Sequence, residues 1–300
     1  MRFVVTGGVG FVGTNLIKRL LADGHEVISL DNYSTGKKEN EVKNDRVTYN
    51  KVEMSAQLMG KSYIYDELSG EIDGVFHLAA LARIQPSFEH PILSFESNAL
   101  ATQYLMEWVR KKKCPLVYAG SSSVHGNKYA NPYTFTKYIG EQIIKMYSKL
   151  FDVPTIITRF YNVYGEYQAT EGAYCNVLGI FQRLYQQKKP LIITGDGEQR
   201  RDFTYVGDIV DGIVKSMEAM HDVVDMRYLA EEIELGRGKN YSINDIANAF
   251  GRDYPKKYIE AWPGEVRKTL CTDTKAKELL NWKPKGNVIK FIKESYILAK

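Results

Sequence analysis

Thr6-Gly7-Gly8-Val9-Gly10-Phe11-Val12-Gly13 follows a short apolar run at the start of the chain and opens an amphipathic one. That context, strand then turn then helix, gives the glycines separate tasks. Gly7 allows the tight turn, Gly10 lets the backbone approach a pyrophosphate, and Gly13 lets the helix pack close to the sheet. An anion placed there sits on the free N–H groups of the helix N-terminus. The second strand should then end in an acidic residue, and Asp31 stands eighteen positions after Gly13. A carboxylate there accepts hydrogen bonds from a ribose hydroxyl and repels a 2′-phosphate, which favours NAD over NADP.

Working outward, the first half alternates β-branched runs at 3–6, 26–30, 47–53, 74–79, 116–119 and 155–160 with amphipathic stretches at 11–23, 91–113 and 133–151. Continuous apolar strands between helices predict a parallel sheet covered on both faces, a doubly wound α/β domain. Beyond about 165 the alternation breaks down. Helical patterns at 172–189 and 208–220, a strand at 191–194, a Ser242-capped run to 250, a loop at Trp262-Pro263-Gly264 and two short closing helices read as a smaller mixed α/β domain. The expected division is a nucleotide-binding unit over 1–165, to which the chain returns around 198–222 and 239–250, and a substrate-binding unit over 166–300.

Composition agrees with a soluble globular chain: 300 residues, 44% apolar and 25% charged, with 21 Tyr. No apolar stretch approaches the ~18 residues of a membrane span, and the strand-like start leaves no room for a signal peptide. A net charge of +4 suits an anionic small molecule and is no footprint of a nucleic-acid binder. The basic run Arg110-Lys111-Lys112-Lys113 ends a helical stretch, where cations complement the helix dipole. Cys114, Cys175 and Cys271 lack metal-ligand or disulfide spacing, so no metal is expected and a reducing, cytoplasmic setting is.

Asn131 and Pro132 cap and open the helix at 133, and the i, i+4 spacing puts Tyr133 and Lys137 on one face. A tyrosine acting as a base near neutrality must have its pKa lowered by roughly three, about 4 kcal/mol. A nearby ammonium supplies about one to three of that, and a positive nicotinamide ring the remainder. Ser121-Ser122-Ser123 directly follows the fifth strand, at the sheet edge that faces the ligand crevice. Hydroxyls there bind a sugar hydroxyl and orient its proton.

Together these motifs resemble the extended short-chain dehydrogenase/reductase family, in particular its nucleotide-sugar epimerases and dehydratases. The likeness spans nearly the whole chain. It includes Asp31-Asn32-Tyr33-Ser34-Thr35-Gly36, His77-Leu78-Ala79-Ala80, Asn98, Tyr133-Thr134-Phe135-Thr136-Lys137 and Arg159-Phe160-Tyr161-Asn162-Val163-Tyr164-Gly165. It continues through Gly195-Asp196-Gly197-Glu198-Gln199-Arg200-Arg201-Asp202-Phe203 and Pro263-Gly264-Glu265-Val266-Arg267.

The resemblance implies a Rossmann-type fold. It also implies NAD held by Gly7, Gly10, Phe11 and Val12 at the pyrophosphate, with Asp31, Asn32 and Thr35 around the adenosine ribose. Glu53 and Met54 would flank adenine, and Leu78, Ala79, Ala80, Asn98 and Phe160 would line the path to the nicotinamide. Tyr133 would be the base, assisted by Ser121, with Lys137 binding the nicotinamide ribose. Ser122, Ser123, Asn162, Asn176 and Val177 would contact a nucleotide-diphosphate sugar, and Arg201 and Arg267 would neutralise its diphosphate. A homodimer through the helices near 91–113 and 133–151 is expected, using Leu93, Leu100, Tyr104, Ile139, Ile143 and Tyr147; these also suit packing within the chain.

The family's dehydratases carry Thr-Asp-Glu where this chain has Ser121-Ser122-Ser123, and decarboxylating members keep a glutamate at Ser123. Three serines supply no general acid or base beyond the tyrosine, so epimerisation is favoured. The segment 31–40 most resembles that of UDP-glucose and UDP-N-acetylglucosamine 4-epimerases, which implies those substrates and inversion at C4. The chain departs from the family in three places: His125 for a tyrosine, a short 127–132 loop, and altered spacing after Arg267 that puts Leu270 or Thr269 at the pocket gate. Arg83, beside the sugar-facing segment, would suit the alternative of a GDP- or CDP-sugar. A reductase and a redox-inactive NAD-binding regulator are the remaining alternatives.

Overall fold

Apolar residues on alternate sides of the central strands build two cores, one on each face of a single sheet. The structure, a computed structural model, describes residues 1–57, 68, 70–221, 228–261 and 266–298, so 262–265 with its expected loop lies outside the described residues. Its main sheet comprises β1 (Arg2–Thr6), β2 (Glu26–Asp31), β3 (Val47–Lys51), β4 (Gly74–His77), β5 (Leu116–Ser121), β6 (Thr155–Phe160) and, after three strands of the smaller part, β10 (Leu229–Leu235). The order is β10-β6-β5-β4-β1-β2-β3, with every pairing parallel.

Val5, Phe76, Val117 and Ile156 join one core with the helices Phe11–Ala22 and Val206–His221. Their neighbours Val4, Val75, Leu116 and Ile157 join the other with Ala101–Lys112 and Pro132–Phe151. This is the doubly wound Rossmann-type sheet that the strand periodicity predicts.

The smaller part pairs β7 (Asn162–Tyr164), β9 (Arg200–Tyr205) and β11 (Asn240–Ser242) in one sheet, and β8 (Leu191–Thr194) with β12 (Lys256–Ile259) in another. A third core of Leu178, Phe181, Leu191, Phe203, Ile243, Ile246 and Phe250 lies among them. Ser242 caps the helix Ile243–Ala249 through a reciprocal box with Asp245.

The chain re-enters the parallel sheet at β10, which the sequence reading passes over, and the 243–250 segment packs in the third core rather than against that sheet. The helical pattern at 91–113 is continuous but contains a π-helical stretch, Glu96–Leu100, that rotates Asn98 inward. A short helix, Ile84–Glu89, is also absent from the sequence reading.

Candidate active site

Parallel pairing aligns the carboxyl ends of the strands, so Thr6, Asp31, His77, Ser121 and Phe160 terminate along one edge. Gly7 turns there with φ +72°, and an added Cβ would stand 2.9 Å from Ala79 N. At Gly13 a Cβ would stand 2.0 Å from Gly7 O, so turn and helix are in backbone contact. At Gly10 the sole neighbour within reach would be Gly7 O at 3.2 Å, leaving open space before the helix. No side chain caps that N-terminus. A pyrophosphate needs this cradle of open space and free helix dipole, so the residues fit a dinucleotide.

Asp31, buried at the end of β2, accepts from Val9 N at 3.1 Å and Tyr33 N at 2.8 Å, and burial raises its pKa. Those two bonds leave carboxylate lone pairs for ribose hydroxyls. Asn32 donates to Glu53 at 2.7 Å and accepts from Ser34 N, while Thr35 is exposed beside them. Met54 is buried in the second core.

Leu78, Ala79 and Ala80 are half-buried where the chain leaves β4, with Ala79 N donating to Thr6 Oγ1 at 3.1 Å. The same hydroxyl meets His77 Nδ1 at 2.7 Å, and His77 Nε2 meets Thr102 Oγ1 at 2.9 Å. Burial pushes the His77 pKa down to about 3, so the ring is a neutral strut. Asn98 is 1% exposed, with its amide spent on Leu81 O, Leu81 N and Thr136 Oγ1. It ties the segment after β4 to the helix Pro132–Phe151.

That helix begins as its sequence dictates, Asn131 Oδ1 accepting from Thr134 N at 2.8 Å and Pro132 at the first position. Tyr133 N donates to Ser87 Oγ at 3.0 Å and Tyr133 OH to Ser121 Oγ at 3.1 Å. Ser121 Oγ also lies 2.9 Å from Ser123 Oγ, and Ser122 is half-buried between them. Burial raises the Tyr133 pKa, opposed by the Ser121 hydrogen bond and then by the positive charge of Arg83.

Lys137 is buried with its ammonium 4.2 Å from the centroid of the Tyr118 ring, and burial pushes its pKa down to about 7. Behind it, Glu141 receives a bidentate pair from Arg159 (3.0 and 2.6 Å), and Arg159 also meets Glu232 and Glu234. His125 Nε2 lies 2.9 Å from Glu234, anchoring the serine turn to β10. The lone arginine at the end of the apolar strand TIITRF was the sequence signal for this cluster.

The substrate candidates gather less tightly. Asn162 Nδ2 bonds Asp202 O and Thr269 Oγ1, both at 3.4 Å. Asn176 caps the helix Val177–Gln186, accepting from Gly179 N and donating to Val163 O and Gln168, which leaves Val177 half-buried at the first turn. Arg201, on β9, donates to Arg200 O at 3.0 Å. Arg267 is exposed in a bidentate pair with Asp196 at 2.7 Å, so binding a diphosphate requires it to exchange partners.

Residues 3–229 match the NAD dependent epimerase/dehydratase family. The chain belongs to that family. Within it, the chain is 30% identical to the UDP-glucose 4-epimerase of Mycolicibacterium smegmatis, covering 95% of this chain and 94% of the relative. Its fold is similar to that of the UDP-glucose 4-epimerase of Thermotoga maritima with UDP-glucose, at TM-score 0.87, 26% identity and 98% and 99% coverage. It is also similar to the UDP-glucuronic acid 4-epimerase of Bacillus cereus in complex with UDP-glucuronic acid and NAD, at TM-score 0.86, 28% identity and 99% and 98% coverage. The chain is an NAD-dependent nucleotide-sugar epimerase.

Proposed function

We propose that the chain inverts C4 of a UDP-hexose or UDP-N-acetylhexosamine through a 4-keto sugar, with UDP-glucose and UDP-N-acetylglucosamine as first substrates. The observation that carries this reading is the Tyr133–Ser121 hydrogen bond of 3.1 Å at the carboxyl edge of the sheet, in a serine turn that holds no carboxylate. Dehydration and decarboxylation need a further acid or base there; inversion does not. The relatives' names support the choice of a UDP-sugar.

Tyr133 takes the proton of the C4 hydroxyl and later returns it. Ser121, with Ser123 beside it, holds the sugar hydroxyl and keeps the phenolic oxygen aimed. Lys137 holds the nicotinamide ribose and steadies the phenolate by its charge. Gly7, Gly10, Phe11 and Val12 hold the pyrophosphate, and Asp31 the adenosine ribose. NAD held there would supply a reversible hydride acceptor for C4. Asn98 serves by positioning the helix that carries Tyr133. Asn162, Val177, Arg201 and, after leaving Asp196, Arg267 hold the UDP moiety.

The proposal includes a nucleotide-binding unit over 1–165, to which the chain returns through Val206–His221 and β10, a substrate-binding unit in the rest of 166–300, and action in the cytoplasm. Three buried free cysteines support a reducing compartment. It also includes a homodimer. Ile92, Leu93, Phe95, Met146 and Leu150 form an exposed apolar set on the two expected helices, whereas Tyr147 is buried in the chain's own core. Among the described residues no helix is long and apolar enough to cross a membrane.

Proton NMR of the purified protein with UDP-glucose and UDP-N-acetylglucosamine, without added NAD, tests the reading. A new signal from an equatorial C4 proton, the hydroxyl having become axial, supports it for either sugar. No inversion of either, repeated with NAD added, overturns it.

A further inference from the structure

Arg83 caps the helix Ile84–Glu89, the same helix whose Ser87 hydroxyl accepts the Tyr133 N–H at 3.0 Å. Its Nε donates to Tyr174 O at 2.9 Å and its Nη1 to Ala82 O at 2.9 Å. The side chain therefore bridges the segment after β4 to the segment that leads into Asn176 and Val177. The bond to Tyr174 O and the Ser87–Tyr133 bond of the same helix bring the guanidinium near both base and substrate segment, and its charge acts on the Tyr133 phenol and the Cys175 thiol.

Two backbone carbonyls use two of five donors, and carbonyls carry no charge. Among the described residues no carboxylate lies within ion-pair distance of Arg83, whereas Arg159 meets three. A half-buried guanidinium without a counter-charge favours an anion that arrives to pair with it. The substrate's diphosphate is a poor candidate, because Tyr133 works at C4 of the sugar and a cation beside its phenol lies at the sugar end.

We propose that Arg83 receives a carboxylate carried by the sugar, so that the preferred substrates are UDP-sugar acids such as a UDP-hexuronate. The inference rests on the C4-epimerase reading and refines its substrate class. A planar guanidinium with free Nη donors matches a carboxylate in bidentate geometry, and such charge-assisted pairs are worth roughly ten- to a hundredfold in affinity. A neutral hydroxymethyl group at the same place leaves the charge unmet.

The test is calorimetric binding of UDP-glucuronate and UDP-glucose to the NAD-loaded full chain, for wild type, Arg83→Met and Arg83→Lys, alongside NMR of C4 inversion. The ratio of the two affinities is the readout, which cancels effects common to both ligands. Wild type should favour the acid at least tenfold, Arg83→Met should erase that preference, and Arg83→Lys should retain part of it. Equal affinities in wild type, or a ratio that Arg83→Met leaves unchanged, overturn the proposal. A shifted ratio without inversion of any sugar upholds the Arg83 assignment and overturns the epimerase reading. Inversion of UDP-glucose with a flat ratio does the reverse.

Discussion

Gly13→Ala and Gly10→Ala add the same methyl group three residues apart, and the backbone gives them opposite consequences. At Gly13 the new Cβ would stand 2.0 Å from Gly7 O and 2.8 Å from Gly8 Cα, both backbone atoms, whereas real Cβ contacts do not fall below 3.0 Å. Turn and helix must therefore part by the difference, 3.0 minus 2.0, or about 1 Å. Overpacking of this kind costs about 1–3 kcal/mol, and alanine's better helix propensity returns roughly 1 kcal/mol. The net expectation is a loss of about 0–2 kcal/mol in stability. Displacing the first-turn N–H groups by that distance also weakens their bonds to a pyrophosphate, for roughly a tenfold or greater loss of NAD affinity. At Gly10 the φ of −77° suits any residue and the methyl meets one atom at 3.2 Å, so stability should hold while the methyl occupies the pyrophosphate's space. Denaturant unfolding of NAD-stripped protein and calorimetric NAD titration separate the two effects. Gly13→Ala or Gly10→Ala with wild-type NAD affinity refutes the cradle.

Tyr133→Phe removes the base and should lower kcat by about 10²–10⁴-fold with NAD affinity kept; Ser121→Ala should lower kcat while leaving NAD binding intact, and steady-state kinetics with NAD titration checks both. Burial holds the Lys137 pKa at about 7 against 10.5, so from pH 10.5 down to 7 the unfolded chain binds a proton that the folded site refuses and stability falls through that window. Lys137→Met should therefore be more stable than wild type near pH 7.5, by about 1–3 kcal/mol, yet inactive; denaturant melts showing a less stable variant would contradict this. The hydrogen bond to Glu234 raises the His125 pKa, so the pair's stabilisation is present below the unfolded pKa near 6.5 and lost as pH climbs through the raised value. His125→Gln should remove that slope from a thermal-stability profile between pH 6 and 8, while a profile unchanged from wild type denies the pair any role.

Five of the six legible strands are buried on both faces, which writes apolar runs such as RFVVT and TIITRF directly into the chain, whereas the edge strand β3 reads only by its β-branched start. The seventh, LAEEIEL, carries three glutamates and reads as a charged surface segment. Its charges are met by Lys275, Lys145 and Arg159, distant in sequence and joined only by folding. The short helix with Pro86 inside it is hidden for a related reason, since six residues carry too little period to register.

At the site, Tyr133 and Ser121 meet as their positions suggest. Asn98 and Asn176 have the right types for ligand contacts but spend their amides on the protein. Arg267 is likewise committed to Asp196. Residue type shows what a side chain can bind; only the fold shows what it has already bound.

UDP-glucose deuterated at C4, followed by NMR in ordinary water, tests the central claim most directly. If C4 hydride leaves and returns within one closed site, the inverted product keeps its deuterium at C4 and every other ring position is unlabelled. Loss of that deuterium to solvent with inversion intact would contradict it.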